Sequence, residues 1–171
     1  MKLNIISKAL IAFIVLSFAS CDDKGYDKYD QGASPTAALN GEWYIDVIDE
    51  ATGTVYVQHA FHKTFDDGLN DGKMYISDRI GAGDTDFSGW FLVSKVDVDV
   101  ENLTFSVTGA ENTADGSIVN ITEGKILKNV ATSRDGNVVD SIYFKGEFDY
   151  DPGTTIIFAG HRRTGFLEDE Y

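Results

Sequence analysis

Val138-Val139-Asp140-Ser141-Ile142-Tyr143-Phe144-Lys145-Gly146-Glu147-Phe148-Asp149 and Thr154-Thr155-Ile156-Ile157-Phe158-Ala159-Gly160-His161-Arg162-Arg163-Thr164-Gly165-Phe166 are two long segments rich in β-branched and aromatic residues, joined through Asp151-Pro152-Gly153. Apolar and polar residues alternate in both, which is the period of a half-buried strand rather than of a helix. The joining residues are turn formers. Together they predict an antiparallel pair, and the same pattern fills the chain upstream.

Working back from that pair, Arg134-Asp135-Gly136-Asn137 is a hairpin signal, because Asp-Gly tolerates the positive φ angles such turns need. Ser117–Thr122 and Lys125–Ala131 read as strands ahead of it, after a loop around Asn112–Gly116. Leu103–Thr108 and Trp90–Val100 precede them, and Ile80–Asp86 is Gly- and Asp-rich and reads as irregular. Lys73–Asp78 is short, Thr54–Phe65 is long with Val55, Val57, His59, Phe61 and Phe65 on one predicted face, and Gly41–Ile48 puts Trp43, Ile45 and Val47 together. That makes eight or nine strands with short connections and no long crossover. The expected fold is all-β and antiparallel, an up-and-down barrel of about eight strands, which leaves no open edge. A two-sheet β-sandwich fits the same pattern. The predicted inward side chains are Trp43, Ile45, Val57, Phe61, Met74, Ile76, Trp90, Leu92, Phe105, Val107, Ile142, Phe144, Ile156 and Phe158.

The first 38 residues have a different character. Lys2 and Lys8 form a basic start, and Ala9–Ala19 is an uncharged apolar run, too short for the ~20 residues that span a bilayer. Leu16-Ser17-Phe18-Ala19-Ser20-Cys21 follows the rule for a lipoprotein signal, small residues directly before a cysteine, with Phe18 where an aliphatic residue is usual. Cys21 is the only cysteine, so it has no internal disulfide partner. We therefore expect a signal peptide over 1–20, a lipidated Cys21 opening an acidic tether over 21–38, and a β domain over 39–171. The expected location is the outer membrane, where acidic residues behind Cys21 resemble a surface-export tag in Bacteroidota. A periplasmic leaflet is the alternative. Removing residues 1–20 leaves 12 basic against 28 acidic residues, a net charge of −16. Such a surface repels phosphate backbones and excludes nucleic acid as a partner.

Gly41-Glu42-Trp43 opens the first strand and Arg162-Arg163 sits in the last. A guanidinium can stack on the indole face and hydrogen-bond the carbonyls at a barrel's closed end, and a glycine lets backbone approach closely. This Gly-x-Trp and arginine pairing resembles the closed end of lipocalin-like barrels. Leu39-Asn40-Gly41-Glu42-Trp43-Tyr44, Val139–Phe144 and Gly160–Phe166 are similar to segments of a Bacteroidota lipoprotein family labelled lipid-binding putative hydrolase. The resemblance covers about residue 39 to the end. It implies a lipocalin-like barrel that binds a lipid or another apolar or amphipathic small molecule. On that reading Gly41, Trp43, Arg162 and Arg163 close the barrel, and Phe61, Trp90, Phe105 and Phe144 wall a cavity.

The sequence does not present a catalytic set. His59, His62 and His161 are the only histidines; His59 and His62 fall on opposite faces of a strand and cannot share a metal. No metal-ligand cluster and no Gly-x-Ser-x-Gly is present, and Ser141 has no base beside it in the sequence. Asp66–Gly72 fails the EF-hand frame. The expectation is accordingly a non-enzymatic binding protein without cofactor or metal. The alternatives are a surface interaction or glycan-binding module beside an outer-membrane uptake partner and, last, a lipid hydrolase. Whether the inward rings leave a cavity or fill the core is open at this stage. Replacing Cys21 by Ser is expected to abolish fatty-acid labelling of the protein; persistent labelling would reject the anchor.

Overall fold

The computed structural model describes residues 34–69, 71–79 and 89–171. The expected signal peptide, Cys21, most of the tether and the irregular Ile80–Asp86 lie outside the described residues. The strands are β1 (Gly41–Asp49), β2 (Val55–Asp66), β3 (Lys73–Ser77), β4 (Val93–Asp99), β5 (Thr104–Glu111), β6 (Ile118–Thr132), β7 (Val138–Phe148) and β8 (Thr155–Arg162). Each pairs antiparallel with the next, and β8 returns to β1, closing an eight-stranded up-and-down barrel. The sandwich is thereby excluded. A barrel of this size is just wide enough for side chains to fill.

The two segments read as separate strands, Ser117–Thr122 and Lys125–Ala131, are one strand, β6, with a bulge at the join. Glu123 sits there at φ 54°, and Gly124 faces Phe105 while Ile121 faces Val107, so β6 carries one extra residue. The inward set changes parity across it, from Val119 and Ile121 to Ile126. The same event occurs in β2. His59 has φ 55°, and Ala60 faces Ile45 while Val57 faces Val47. Beyond the bulge the buried side chains are Ala60, His62 and Thr64, and Phe61 turns away from the interior. This corrects the expected inward position of Phe61: a single inserted residue reverses every later side chain of a strand. The bulged N–H of His59 is not left unpaired, because Asp46 Oδ1 accepts it at 2.8 Å. Asn129, at a second irregularity of β6, donates its N–H to Asp140 Oδ1 in the same way at 3.1 Å.

The end of the barrel at the start of β1 is closed. Residues 34–40 fold across it, with Thr36 and Leu39 fully buried. Ser34 and Thr36 donate their hydroxyls to Asp66 Oδ2, so this part of the expected tether belongs to the packed domain. Trp43 Nε1 donates to Thr64 Oγ1 at 2.9 Å, and the Thr64 hydroxyl donates in turn to Leu39 O at 2.6 Å. The Arg162 guanidinium lies 5.7 Å over the Trp43 ring, donates to Asn40 O and pairs with Asp140. Arg163, one residue on, faces the other way and pairs with Glu42 and Glu170. A Cβ at Gly41 would press on Trp43 and Arg162 at 3.2–3.4 Å, and one at Gly160 would lie 1.9 Å from Tyr44 O. The β1–β8 seam has no room for a side chain there.

After β8 the chain turns back along the outside. Asp169 is buried and accepts four hydrogen bonds, from Ser133 Oγ, Asp135 N, Asn137 Nδ2 and Thr164 Oγ1. Burial alone would raise its pKa; the donors, led by the Asp135 N–H, outweigh it and hold the carboxyl at about 2. Tyr171 then stacks on His59, centroids 3.7 Å apart.

Two outcomes follow. Arg162→Ala is expected to cost about 1–2 kcal/mol by chemical denaturation, more than Arg163→Ala, since it loses a stacked cation and the bond to Asn40 O; equal losses would contradict the closing role. Asp169, with its folded pKa depressed, stabilises fully above its unfolded pKa of about 4, and this is lost as pH falls through about 2. Melting temperatures of the unmodified chain and Asp169→Asn should therefore differ above about pH 4 and converge towards about pH 2.

Candidate functional site

Among the described residues the interior is packed by its own side chains. Phe144 stacks on Phe158 at 4.6 Å and 5°, and Phe105 meets Phe144 edge-on at 5.7 Å. Trp43, Ile45, Val47, Met74, Ile76, Leu92, Val96, Phe144, Ile156 and Phe158 have no accessible surface at all, so no water molecule could be placed against them. Side chains thus occupy the lumen, as the width of an eight-stranded barrel allows. The four residues expected to wall a cavity are not brought together. Phe105 and Phe144 are core, Phe61 is outside, and Trp90 stands at the barrel mouth, opposite the closed end.

At that mouth the chain builds an aromatic cluster. Trp90 has φ 55°, a conformation that costs a non-glycine residue about 1–3 kcal/mol and recurs at ligand clamps. It precedes β4 and is thrown across the opening. Tyr56, from the first turn of β2, stacks on it at 6.2 Å and 27°; Tyr150, from the β7–β8 turn, meets it at 5.6 Å; Phe148 supports it from the core side at 5.7 Å. Tyr56 and Tyr150 are about half exposed. A surface cleft of about 640 Å³ is lined by Gly89, Trp90, Phe91, Asp115, Tyr150 and Asp151. Its lip is acidic. Burial, then the Asp115 carboxylate, push the Tyr150 phenol up to about 12, so it remains a neutral donor.

The platform beneath is rigid. The Asn112 side chain donates to Phe91 O and Ser117 Oγ and accepts from the N–H groups of Val93 and Ala114. Asp78 is fully buried, accepts the Leu92 N–H at 2.8 Å and pairs with Arg79, whose guanidinium covers the Phe91 ring at 5.2 Å. Burial pushes the Asp78 carboxyl up. Tyr150 carries no alternation signal because it sits in a turn; its place beside Asp151-Pro152-Gly153 at a strand end is the one hint the sequence holds.

The groups that chemistry would need are dispersed. His62 is inside the barrel against Phe158, His59 is on the outer face under Tyr171, and His161 is on the outer face near Tyr44. Register places Ser141 opposite His161. The His161 ring nitrogens instead meet Arg162 O and the Tyr171 hydroxyl, both at 3.2 Å. No group of three His, Cys, Asp or Glu side chains among the described residues is arranged to hold a metal ion. In the 66–72 loop, Lys95 pairs with Asp67 and Asp71, and Asp66 accepts from Ser34, Thr36 and Gly68.

A family model described as lipid-binding putative hydrolase matches residues 28–167, and the chain belongs to that family. A search of curated proteins finds no match to it. The family's lipid-binding description and the closed β-barrel fit together with binding of a lipid or similar apolar small molecule.

Proposed function

We propose, on the premise of that membership, that the protein is an exported lipoprotein anchored to the outer membrane through Cys21, which holds an apolar or amphipathic small molecule at the barrel mouth without hydrolysing it. The observation that carries the reading is Trp90, a large apolar ring held in a strained backbone conformation, half-sandwiched by Tyr56 and Tyr150 over a cleft. Apolar ligand sites are concave, with a few fixed polar groups. Here those groups are the neutral Tyr150 phenol and the carboxylates of Asp115 and Asp151. Like charge at the lip disfavours an anionic head there, so the ligand is a neutral or hydroxyl-bearing amphiphile. The filled core restricts it to the mouth.

A second reading is favoured by the same shelf. Exposed aromatic faces flanked by carboxylates also suit a sugar ring, whose hydroxyls donate to the acids while its apolar face stacks. This is the surface glycan-binding or accessory module. The hydrolase reading lacks an assembled nucleophile and base, since the Ser141–His161 pair shares no hydrogen bond and both His161 nitrogens have other neighbours.

The two readings separate in one titration. A monoacylglycerol is expected to shift Trp90 emission saturably, and Trp90→Ala to weaken its binding by about tenfold or more. A response to a neutral oligosaccharide and none to the lipid would transfer the site to the second reading. Ester cleavage that fell on Ser141→Ala or His161→Ala would overturn the non-catalytic assignment.

A further inference from the structure

The opposite end of the barrel carries the reverse charge. A cleft of about 600 Å³ opens beside the start of β1, lined by Gly41, Glu42, Lys63, Phe65, Arg162 and Arg163, with Thr64 and Thr164 at its edge. Three of its lining side chains are cations and one is an acid, in a chain of net charge −14. The cations are not neutralised equally. Arg163 is held by Glu42 and Glu170, but Arg162 shares its one carboxylate, Asp140, with Lys128. Lys63 has no carboxylate within ion-pairing distance among the described residues; its ammonium rests 5.7 Å over the Phe65 ring. Both threonine hydroxyls already donate, Thr64 to Leu39 O and Thr164 to Asp169. The polar capacity left in the cleft is therefore cationic.

Beside these charges lies an apolar strip on the outer face. Phe65 is 39% exposed and stacks on Tyr75 of β3 at 5.5 Å and 18°. Gly41 borders the cleft, and its backbone comes so close to Trp43 and Arg162 that a Cβ would press on both. The arrangement is a charged head position joined to an aromatic seat.

We propose that this cleft is a second binding site, independent of the mouth, for the oxyanion head of an amphiphile. A carboxylate or phosphate sits in the cleft at the strand ends, which Lys63 and Arg162 both line, and the adjoining chain lies on Phe65. Lys63 supplies a point charge and Arg162 a forked donor, the pairing that suits such heads. Glu42 is the competitor, because its carboxylate already occupies one side of Arg163. The source is either a free amphiphile or a bilayer lipid. The chain enters the domain at this same end, and 13 residues from Cys21 to Ser34 reach at most about 45 Å, so an anchored domain can bring the cleft to its own membrane.

The test uses the mature chain carrying Trp90→Phe, which leaves Trp43, under Arg162, as the sole indole and silences the mouth. Dodecyl phosphate is titrated below its micelle concentration, beside inorganic phosphate and vesicles of phosphatidylcholine doped with phosphatidylglycerol. Saturable quenching of Trp43 is expected, with Lys63→Glu weakening it by about tenfold and Glu42→Gln tightening it several-fold. Lys125→Glu, a charge change elsewhere on the barrel, should leave it as it was. A response to dodecyl phosphate identifies a free amphiphile as sufficient, and a Lys63-dependent response to vesicles alone identifies the bilayer. Binding indifferent to both Lys63→Glu and Glu42→Gln, or no response to any of the three probes, overturns the proposal. Monoacylglycerol binding by the chain with Trp90 intact reads the mouth separately, so failure at one end does not count against the other.

Discussion

The seam between β1 and β8 is the constraint on which the other features rest. Seven residue pairs, from Trp43 opposite Arg162 to Asp49 opposite Ile156, turn a meander into a cylinder. Without them β1 and β8 would each present an unpaired edge, and the inner face would have nothing to pack against on one side. The approach is so close that position 160 admits only a hydrogen on its α-carbon. The indole of Trp43 then plugs the cylinder, satisfied by Thr64 and covered by Arg162. Removing the Thr64 hydroxyl would leave the indole N–H buried without an acceptor, a loss of about 1–3 kcal/mol.

Closure at that diameter decides where binding can occur. An eight-stranded wall lined with Phe105, Phe144, Phe148 and Phe158 fills its own lumen. On the proposed reading, interaction with small molecules is displaced to the two ends, which differ in character. The mouth is aromatic with an acidic lip; the closed end is cationic with a phenylalanine beside it. On the proposed reading, an amphiphile is sorted between the two ends by the charge of its head.

Much of this was legible in the sequence. The alternation in the 138–166 region, the Asp-Gly turn and the Gly-x-Trp opening led to the barrel, and most residues assigned inward by period two are in the core or packed against it. Phe61 was not legible. Its misplacement comes from an unbroken count through His59, and nothing in Val57-Gln58-His59-Ala60 marks a left-handed residue. In β6 the pattern broke visibly at Glu123-Gly124, but a break reads equally as a loop, so one bulged strand became two. The cavity failed for a different reason: alternation reports which side chains point inward and carries no information on the space left between them. Tyr150 lay in a turn, beyond the reach of any periodicity. The C-terminal return was missed because Asp169 is an acid among acids in the sequence, and only the fold gathers its four donors.

The bulges have a meaning beyond geometry. At two of them the spare residue's amide is taken up by a carboxylate on the neighbouring strand, Asp46 for His59 and Asp140 for Asn129. Sliding either strand by one position would move the amide off its acceptor and strand a charged group against the ladder, so the carboxylates act as detents that hold the strands in phase. They also make the wall forgiving of length changes at a few marked places. Deleting the spare residue of β2 would restore simple alternation with Ala60, His62 and Thr64 still facing in, whereas drawing it into the ladder with nothing removed would make Phe61 and Lys63 exchange sides with His62 and Thr64. Such a slip would take Thr64 away from the Trp43 indole and drive a lysine towards the core. Loss of one residue at the bulge is therefore expected to be tolerated, and loss of one between Ala60 and Thr64 to be forbidden.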